Sequence, residues 1–388
     1  MVSCLRACSV GCYVLIFVTI VGLIFARKFS AMVTTAEIEA DSGSWVRTPK
    51  DGPGGERLIE YFTCGAARAD AKHHMLYMHG YGHTGKLGLS TFCYEAEALG
   101  FRVISPTQPG FGLSSHYPLG VIRTLKEWPA DVKLILEKEK VDKFYASAAS
   151  AGCVHVLTVA HALSDRVLGI GLGTPTTPLE VEDATMAGGM DPVTKYVRMA
   201  NAIPWVGDLL SYSLSLMSAQ ARMEAVPDVA AAVVKMQSDT SVAWHKHVVE
   251  SFLADQERGT IKGHRGLADN AHTINENFLK GTLEGLEKLV ASGKKLVLTS
   301  APDDTTNPPV MQQWYIDHIK GSQLIHRPAG YGHLHSSVPG CMTLVWRAML
   351  GESIAGGNND NDSNNNNNDN VAGAAQQTES GGKATEEL

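Results

Sequence analysis

Short apolar runs alternate with amphipathic segments along most of this chain. Runs rich in Val, Ile, Leu, Tyr and Phe that are bounded by turn-forming or charged residues are typical of buried strands. This pattern predicts strands over 57–63, 74–78, 101–104, 143–147, 167–172, 295–299 and 323–326. The segments between them predict helices over 86–99, 125–140, 151–161, 310–319 and 336–350. We expect Pro129 to kink the second of these helices. Alternation of this kind predicts an α/β fold with a mostly parallel sheet and helices on both faces.

A long helical stretch interrupts the alternation after the fifth predicted strand. Between residues 174 and 293 the chain carries three or four helical patterns, among them Val193–Met217, which Pro204 breaks, and Ser241–Gln256. About 120 residues are far too many for one crossover between neighbouring strands. The stretch therefore predicts a helical cap inserted over about 175–290.

The N-terminal segment has a different character. Residues Ser9 to Ala26 are uncharged and mostly apolar, with Arg6 before them and Arg27 and Lys28 after them. Eighteen helical residues span about 27 Å, which is close to the hydrocarbon thickness of a bilayer. We therefore predict a single transmembrane anchor over 1–28, in an endomembrane or at the cell surface. A cleaved secretory signal is the alternative. The positive charges nearly balance across the segment, so its orientation stays open.

The remaining boundaries follow from polarity. Residues 29–56 become polar and rich in Gly and Pro, which predicts a linker before the folded domain at 57–351. After Gly351 the sequence consists mainly of Asn, Asp, Gly, Ser, Ala and Glu. Such a composition cannot bury enough apolar area to fold, so we predict a disordered Asn-rich tail over 352–388.

Composition and charge exclude several classes of function. The 388 residues carry a net charge of −7 with acidic and basic residues intermixed, which does not favour a nucleic-acid partner. The seven cysteines show no CxxC or Cys/His spacing, so neither a disulfide framework nor a zinc site is expected. The sequence has no dinucleotide-binding glycine motif before a helix and no phosphate-binding P-loop, so we expect no cofactor.

A serine lies at the junction between the strand predicted over 143–147 and the helix that follows. Ser150 has Ala148 two residues before it and Gly152 two residues after it. A nucleophile elbow requires this spacing, because the strand-to-helix turn is too sharp for large side chains at those positions. The turn exposes the serine hydroxyl and directs amides of the helix start toward the atom that it attacks.

The order of the motifs along the chain resembles that of the α/β-hydrolase superfamily, over about residues 57–351. The matching segments are HGYG at 79–82, PTQPGFGLSS at 106–115, ASAASAG at 146–152, APDDTTNPP at 301–309 and AGYGHLH at 329–335. The chain is most similar to the capped branch of esterases, epoxide hydrolases, dehalogenases and carbon–carbon hydrolases. The resemblance implies an α/β-hydrolase fold with a helical cap.

The resemblance also implies a catalytic triad in the order Ser150, Asp304, His333. His333 follows the last predicted strand and would act as the general base for the Ser150 hydroxyl, with His335 as the fallback. Asp304 would orient the imidazole, with its neighbour Asp303 as the rival. Some family members place the acid after the preceding strand, which would bring in Glu180 or Glu182. The backbone amides of Tyr81 and Ala151 would form the oxyanion hole.

A serine at the elbow disfavours the mechanism of epoxide hydrolases and haloalkane dehalogenases, which attack with aspartate. The expected function is therefore a membrane-anchored serine hydrolase of the esterase or lipase type (EC 3.1.1), acting on a small-molecule carboxylic ester or related acyl substrate. A carbon–carbon bond hydrolase or a proline-type aminopeptidase would use the same three residues. A catalytically silent binding protein is the alternative from another class. The sequence does not determine the substrate or the oligomeric state.

Overall fold

An eight-stranded sheet forms the centre of the structure, a computed structural model that describes residues 33–52, 54–118, 121, 123–177, 190, 194, 198–199, 203–239, 243–276 and 281–353. The strands are β1 Ser44–Arg47, β2 Leu58–Gly65, β3 His73–Met78, β4 Phe101–Pro106, β5 Phe144–Ala149, β6 Val167–Gly173, β7 Lys295–Ser300 and β8 Gln323–His326. Their order across the sheet is β1-β2-β4-β3-β5-β6-β7-β8. The pairs β1–β2 and β2–β4 are antiparallel, and every other pair is parallel. The prediction of a mostly parallel sheet is confirmed.

Helices cover both faces of this sheet, as the alternating pattern predicts. The described residues form α1 Thr35–Ala40, α2 Lys86–Ala98, α3 Trp128–Lys138, α4 Gly152–Ala162, α5 Pro204–Ser215, α6 Ala219–Glu224, α7 Pro227–Ser238, α8 Ala243–Gly259, α9 Arg265–Ile274, α10 Leu283–Ala291, α11 Pro309–His318 and α12 Cys341–Met349. Strand β3 illustrates the division of the core. Leu76 and Met78 join the cluster that includes α3 and α4, whereas Met75 and Tyr77 join the cluster that includes α2 and α12. Successive side chains of a strand point to opposite faces, so an apolar strand serves both layers.

The sheet begins earlier than the sequence predicts. Helix α1 and strand β1 both lie inside the segment 29–56, which we predicted as a linker. Of the four residues of β1, only Val46 is buried, and the strand pairs with β2 along one edge alone. A strand this short and this exposed leaves no alternating pattern long enough to recognise.

Pro129 does not kink a helix. The segment predicted as one helix over 125–140 consists of a 3₁₀ turn at Leu125–Glu127 followed by α3, and Pro129 lies in the first turn of α3. The first backbone N–H groups of a helix have no partner within that helix, so a proline there loses no hydrogen bond. The kink predicted from the sequence is therefore wrong.

The insertion between β6 and β7 is helical in its described part. Helices α5 to α9 lie here, and Pro204 is the first residue of α5. Residues of α6, α7 and α8, among them Met223, Val229 and Phe252, form a separate apolar cluster that also includes Leu87 of α2 and Leu334. Helix α10, which we included in the predicted cap, instead contributes Leu286 to the main core, on the face of the sheet that α3 and α4 cover. The cap therefore ends before α10.

Some predictions fall on residues that the structure does not describe. The anchor predicted over 1–28 lies wholly outside the described residues, and so does the predicted tail from residue 354 onward. Within the described ranges, no helix combines the length and the apolar character that a membrane crossing needs.

Two cysteines form a disulfide that the sequence did not predict. Cys64, near the end of β2, is bonded to Cys93 of α2, which lies 29 positions later in the sequence, with 5.6 Å between their Cα atoms. The sequence argued against a disulfide framework, and it did not predict this single bond. The spacing gave no sign of the bond because the packing of α2 on the sheet brings the two cysteines together. Cys153 and Cys341 are buried and free.

We expect the Cys64–Cys93 bond to stabilise the fold. A cross-link that closes a loop of this length restricts the unfolded chain and contributes about 3 kcal/mol. A Cys64→Ser/Cys93→Ser variant should therefore show a free energy of unfolding lower by about 3 kcal/mol in denaturant titrations. A reducing agent should destabilise the parent protein by the same amount and leave the variant unchanged. Equal stability of both proteins without reductant would contradict the prediction.

Candidate active site

Ser150 lies on a strained turn between β5 and α4. Its φ angle is +53°, in the left-handed region that non-glycine residues rarely adopt. The turn is held on one side by a 2.8 Å hydrogen bond from the Ser150 amide to the carbonyl of Gly173, at the end of β6. On the other side α4 packs so closely on β3 that a Cβ at Gly152 would lie 2.4 Å from the Met78 carbonyl oxygen. The small residue at position 152 is therefore required, as the elbow motif predicts.

His333 meets the serine hydroxyl. It lies in a 3₁₀ segment, Gly332–Ser337, within the loop after β8, residues 327–337, which we call the histidine loop. Its Nε2 is 2.7 Å from Ser150 Oγ, so the hydroxyl can donate to the imidazole. His335, the fallback base, is buried elsewhere. Its Nδ1 lies 2.9 Å from the Gly332 carbonyl oxygen and its Nε2 lies 3.2 Å from Thr299 Oγ1.

Asp304 lies against the other side of the same imidazole. It belongs to the loop after β7, residues 301–308, which we call the acid loop. Both carboxylate oxygens are 3.1 Å from His333 Nδ1, and Oδ1 also accepts a 2.8 Å hydrogen bond from the Asn307 amide. Asp303, the rival acid, turns away and accepts from the amides of Gly330 and Gly332. Glu180 and Glu182, the acids that follow the preceding strand, lie outside the described residues.

The electrostatics of this cluster suit a general base. Burial alone favours the neutral imidazole, but the Asp304 carboxylate, through its charge and its hydrogen bond, and the charge of Asp228 raise the pKa of His333 above its usual value. In His335 burial outweighs the nearby Asp304 charge and the hydrogen bond to Gly332, so the pKa of His335 is lowered. The carboxylate at Nδ1 also fixes the tautomer that leaves Nε2 free to accept the serine proton.

The residues predicted for the oxyanion hole flank the serine. Tyr81 and Ala151 both line the cavity above Ser150. Gly80 allows the loop after β3 to come close, because a Cβ at this position would lie 3.4 Å from Ser150 Cβ and 4.0 Å from its Oγ. Ala151 is the residue that precedes α4, at the positive end of the helix dipole.

A cavity of about 290 Å³ opens above these residues. The cap supplies most of its apolar wall, namely Leu214, Met223, Ala225, Val226, Val229, Phe252, Leu267 and Ile274. Arg198 and Arg222 also line it, and no Asp or Glu is among its described lining residues. Arg222 has a structural role, since its guanidinium donates to the carbonyl groups of Leu214, Met217 and Gln256. The cavity is therefore a mainly apolar chamber with the serine hydroxyl at its floor.

The cap also contacts the catalytic loops directly, which sequence reasoning missed. In helix α8, Gln256 Nε2 donates to the Tyr81 carbonyl at 3.3 Å, and Asp255 accepts from the Thr84 amide at 2.8 Å. The two backbones almost touch, since a Cβ at Gly259 would lie 2.0 Å from the Gly82 carbonyl oxygen. Nothing in the local sequence of α8 marks these residues, because their role depends on where the cap rests.

No metal site accompanies this arrangement in the part of the chain that the structure describes. There, no three His, Cys, Asp or Glu side chains are grouped in a way that could hold a metal ion.

Comparison with known proteins identifies the family. A sequence model described as the alpha/beta hydrolase fold matches residues 73–336, which is more than half of the chain. The chain belongs to the alpha/beta hydrolase family. The matched segment contains the loop after β3, the elbow, the cap, the acid loop and His333, so the hydrolase family accounts for the fold in which these residues meet.

Solved structures agree with this hydrolase fold at low sequence identity. A thermophilic esterase from Thermogutta terrifontis has a TM-score of 0.52 and 17% identity, covering 79% of this chain and 98% of the esterase. A carboxylesterase from Nitrososphaera gargenis has a TM-score of 0.54 and 16% identity, with coverages of 79% and 98%. An enol-lactonase from Burkholderia xenovorans has a TM-score of 0.54 and 14% identity, with coverages of 79% and 100%. At such identities the likeness concerns the fold alone. No curated protein sequence matches the chain.

Proposed function

We propose that this hydrolase is a membrane-anchored serine esterase that cleaves carboxylic esters with an apolar acyl group. The observation that carries the proposal is the hydrogen-bonded chain from Ser150 Oγ to His333 Nε2 and from His333 Nδ1 to Asp304. A serine hydroxyl is a weak nucleophile at neutral pH, and an adjacent base oriented by a carboxylate is the arrangement that activates it.

The reaction follows from these positions. His333 takes the proton of Ser150 as the serine oxygen attacks the ester carbonyl, and the amides of Tyr81 and Ala151 stabilise the oxyanion that forms. The imidazolium then donates its proton to the departing alcohol, which leaves an acyl group on Ser150. In the second half, His333 takes a proton from water, the hydroxide attacks the acyl carbonyl, and Ser150 recovers its proton as the carboxylic acid leaves.

The cavity wall supports an ester with an apolar acyl group. Burying an acyl chain against side chains such as Met223, Val229 and Phe252 is favourable by about 0.8 kcal/mol for each methylene. The absence of a carboxylate among the described lining residues disfavours a proline-type aminopeptidase, because a substrate amine would need an anion to bind it.

The membrane part of the proposal rests on residues 1–28 of the sequence and on the disulfide. Disulfides persist in oxidising compartments, so the Cys64–Cys93 bond favours a catalytic domain on the lumenal or extracellular side of an endomembrane or of the cell surface. The mass of the mature chain, measured by mass spectrometry, distinguishes an uncleaved N-terminal anchor from a cleaved signal. An intact segment 1–28 supports the anchor, and its removal identifies a cleaved secretory signal.

The test of the substrate class is hydrolysis of a series of p-nitrophenyl esters with acyl chains of increasing length. We expect kcat/KM to rise about fourfold for each added methylene until the cavity is filled. Met223→Trp, which fills the cavity from the cap, should move the optimum to shorter chains. Val234→Trp is the matched control, because Val234 of α7 is 65% exposed and does not line the cavity.

Two results would contradict the proposal. A rate independent of chain length would show that the acyl group does not occupy the apolar cavity. Hydrolysis of none of the esters, by a protein whose Ser150 still reacts with a fluorophosphonate, would exclude simple esters as the substrate class.

A further inference from the structure

One cap residue touches both loops that carry the proposed base and acid. Asp228 is the second residue of helix α7, directly after Pro227. Its Oδ2 accepts hydrogen bonds from the backbone amides of Thr305, Thr306 and His333, at 3.1, 3.3 and 3.2 Å. Its Oδ1 accepts from the Thr306 hydroxyl at 2.8 Å. A single carboxylate therefore ties the acid loop, the histidine loop and the cap together.

The contact is close as well as polar. A Cβ at Gly332 would lie 3.0 Å from Asp228 Cβ and 3.1 Å from its carbonyl oxygen, and Gly332 has a φ angle of +45°. The histidine loop is therefore pressed against the start of α7, in a conformation that suits glycine. The backbone of His333 is fixed at its amide by Asp228, while its side chain is fixed by Asp304.

The neighbouring carboxylates do not duplicate this function. Asp304 binds the imidazole and the Asn307 amide, and Asp303 binds the amides of Gly330 and Gly332. Each of the three carboxylates thus holds a different set of donors. Asp228 is the one that comes from the cap.

We propose that Asp228 is a positioning residue, through which the cap holds the loops of Asp304 and His333 in the positions that place the His333 imidazole against the Ser150 oxygen. The inference rests on the proposed serine-esterase function and names a further residue for that reaction. An amide displaced by about 1 Å would carry the imidazole out of line with the serine oxygen, and misplacements of this size cost about 10²-fold in rate. The cap then contributes to the proton relay as well as to the wall of the cavity.

The charge of Asp228 has a separate consequence. An anion near the imidazole favours its protonated form, so removing the anion lowers the pKa of His333. The rate in the acid range depends on the fraction of neutral base, so its half-maximum should then move to lower pH. The other titratable or charged groups around His333 are Asp303 and Asp304 on the acid loop, His335 on its own segment, and His83, Arg198 and Arg222 along the cavity. A substitution at position 228 leaves the identity of all these residues unchanged.

Three variants of the full-length protein test the two consequences. Asp228→Ala removes the acceptor, and we expect the rate of fluorophosphonate labelling to fall about 10²-fold. Asp228→Asn keeps the size and one acceptor oxygen but removes the charge. The part of the labelling pH profile in which the rate rises with pH, here called the acid limb, should therefore move to lower pH. Asp228→Glu keeps the charge on a longer side chain, so the acid limb should stay near its original pH while the labelling rate falls.

Glu224→Gln is the matched control. Glu224 is an exposed cap carboxylate four residues before Asp228, and it accepts from Gln220. Its substitution should change neither the labelling rate nor the acid limb. Thermal melts of all variants separate a loss of folded protein from a loss of rate, because partial unfolding lowers the amplitude without moving the limb.

A direct titration makes the inference independent of turnover. The ¹³Cε1 resonance of His333, assigned with His333→Gln, should titrate at lower pH in Asp228→Asn than in the parent protein. If the parent neither labels nor cleaves esters while this titration still moves, the proposed function fails and the link between Asp228 and His333 stands. An unchanged titration in Asp228→Asn, an equal shift in Glu224→Gln, or a fully reactive Asp228→Ala would each overturn the inference.

Discussion

The Ser150→Ala variant is expected to lose covalent labelling by a fluorophosphonate and to lose ester hydrolysis by about 10⁶-fold in kcat. The hydroxyl of Ser150 is the only part of the side chain that alanine lacks, and it forms the 2.7 Å hydrogen bond with His333 Nε2. Without it no acyl-enzyme can form, and only the weak catalysis of a polarised carbonyl and a nearby base remains. Labelling measured by gel fluorescence and ester hydrolysis measured in parallel check this result.

Ser337→Ala is the control for the Ser150 prediction. Ser337 also lines the cavity, is buried, and lies on the histidine loop, but none of the contacts described above involves its hydroxyl. We expect this variant to label and to hydrolyse esters within about tenfold of the parent. Labelling that persists in Ser150→Ala and disappears in Ser337→Ala would place the nucleophile on the histidine loop and contradict the proposed mechanism.

Asp304→Asn is expected to lower kcat by about 10⁴-fold while leaving the protein folded. An asparagine amide can face His333 Nδ1 with its N–H₂ group, which stabilises the tautomer whose Nε2 carries the proton. That nitrogen can then no longer accept the proton of Ser150. The buried position of Asp304 strengthens the effect, since no water competes for the imidazole there. Steady-state kinetics with the preferred ester measures the loss.

Asp303→Asn supplies the matched comparison at the adjacent residue. Its Oδ2 accepts from the amides of Gly330 and Gly332, and an asparagine oxygen can accept the same hydrogen bonds. Because a typical hydrogen bond contributes about 1 kcal/mol, the rate should fall by about tenfold or less. A loss in Asp303→Asn as large as that in Asp304→Asn would contradict the assignment of the acid.

The cap of this hydrolase forms hydrogen bonds with the acid and histidine loops and also with the loop after β3. Asp228 of α7 meets the acid and histidine loops, and Gln256 of α8 meets the carbonyl of Tyr81. A buried carboxylate, Glu60 of β2, forms an ion pair with Arg258 at the end of α8. Contacts at several separate points favour a cap that stays in place while small substrates enter, rather than one that swings away.

Much of the fold could be predicted because strands and helices leave a local signal. The buried strands β3, β5 and β7 are mainly apolar runs. A turn-rich segment follows β3 and β7, and the elbow at Ser150 follows β5. The errors occurred where the local signal was weak or ambiguous. Strand β1 has a single buried side chain, and Pro129 is compatible both with a kink and with the first turn of a helix.

Contacts between distant segments had no such signal. The partner of Cys64 depends on the packing of α2, and the membership of α10 in the main core depends on the burial of Leu286 beneath the sheet. Asp228 follows a proline at a helix start, a place where an acidic residue is common for reasons of helix stability alone. Its contacts with His333 arise only when the cap rests on the sheet edge.

Local sequence was enough to define the alternating strands and helices and the elbow at Ser150, because each of these is encoded by neighbours within a few positions. The order of the three candidate residues came from the resemblance of the motifs to those of the α/β-hydrolase superfamily. The resemblance favoured Asp304 over Asp303 and His333 over His335. The partners of each of these four side chains depend on the folded arrangement, since neighbouring residues of one loop differ in the direction that their side chains take. The same arrangement brought in Asp228, because a contact between His333 and a residue 105 positions away is set by how the whole chain packs.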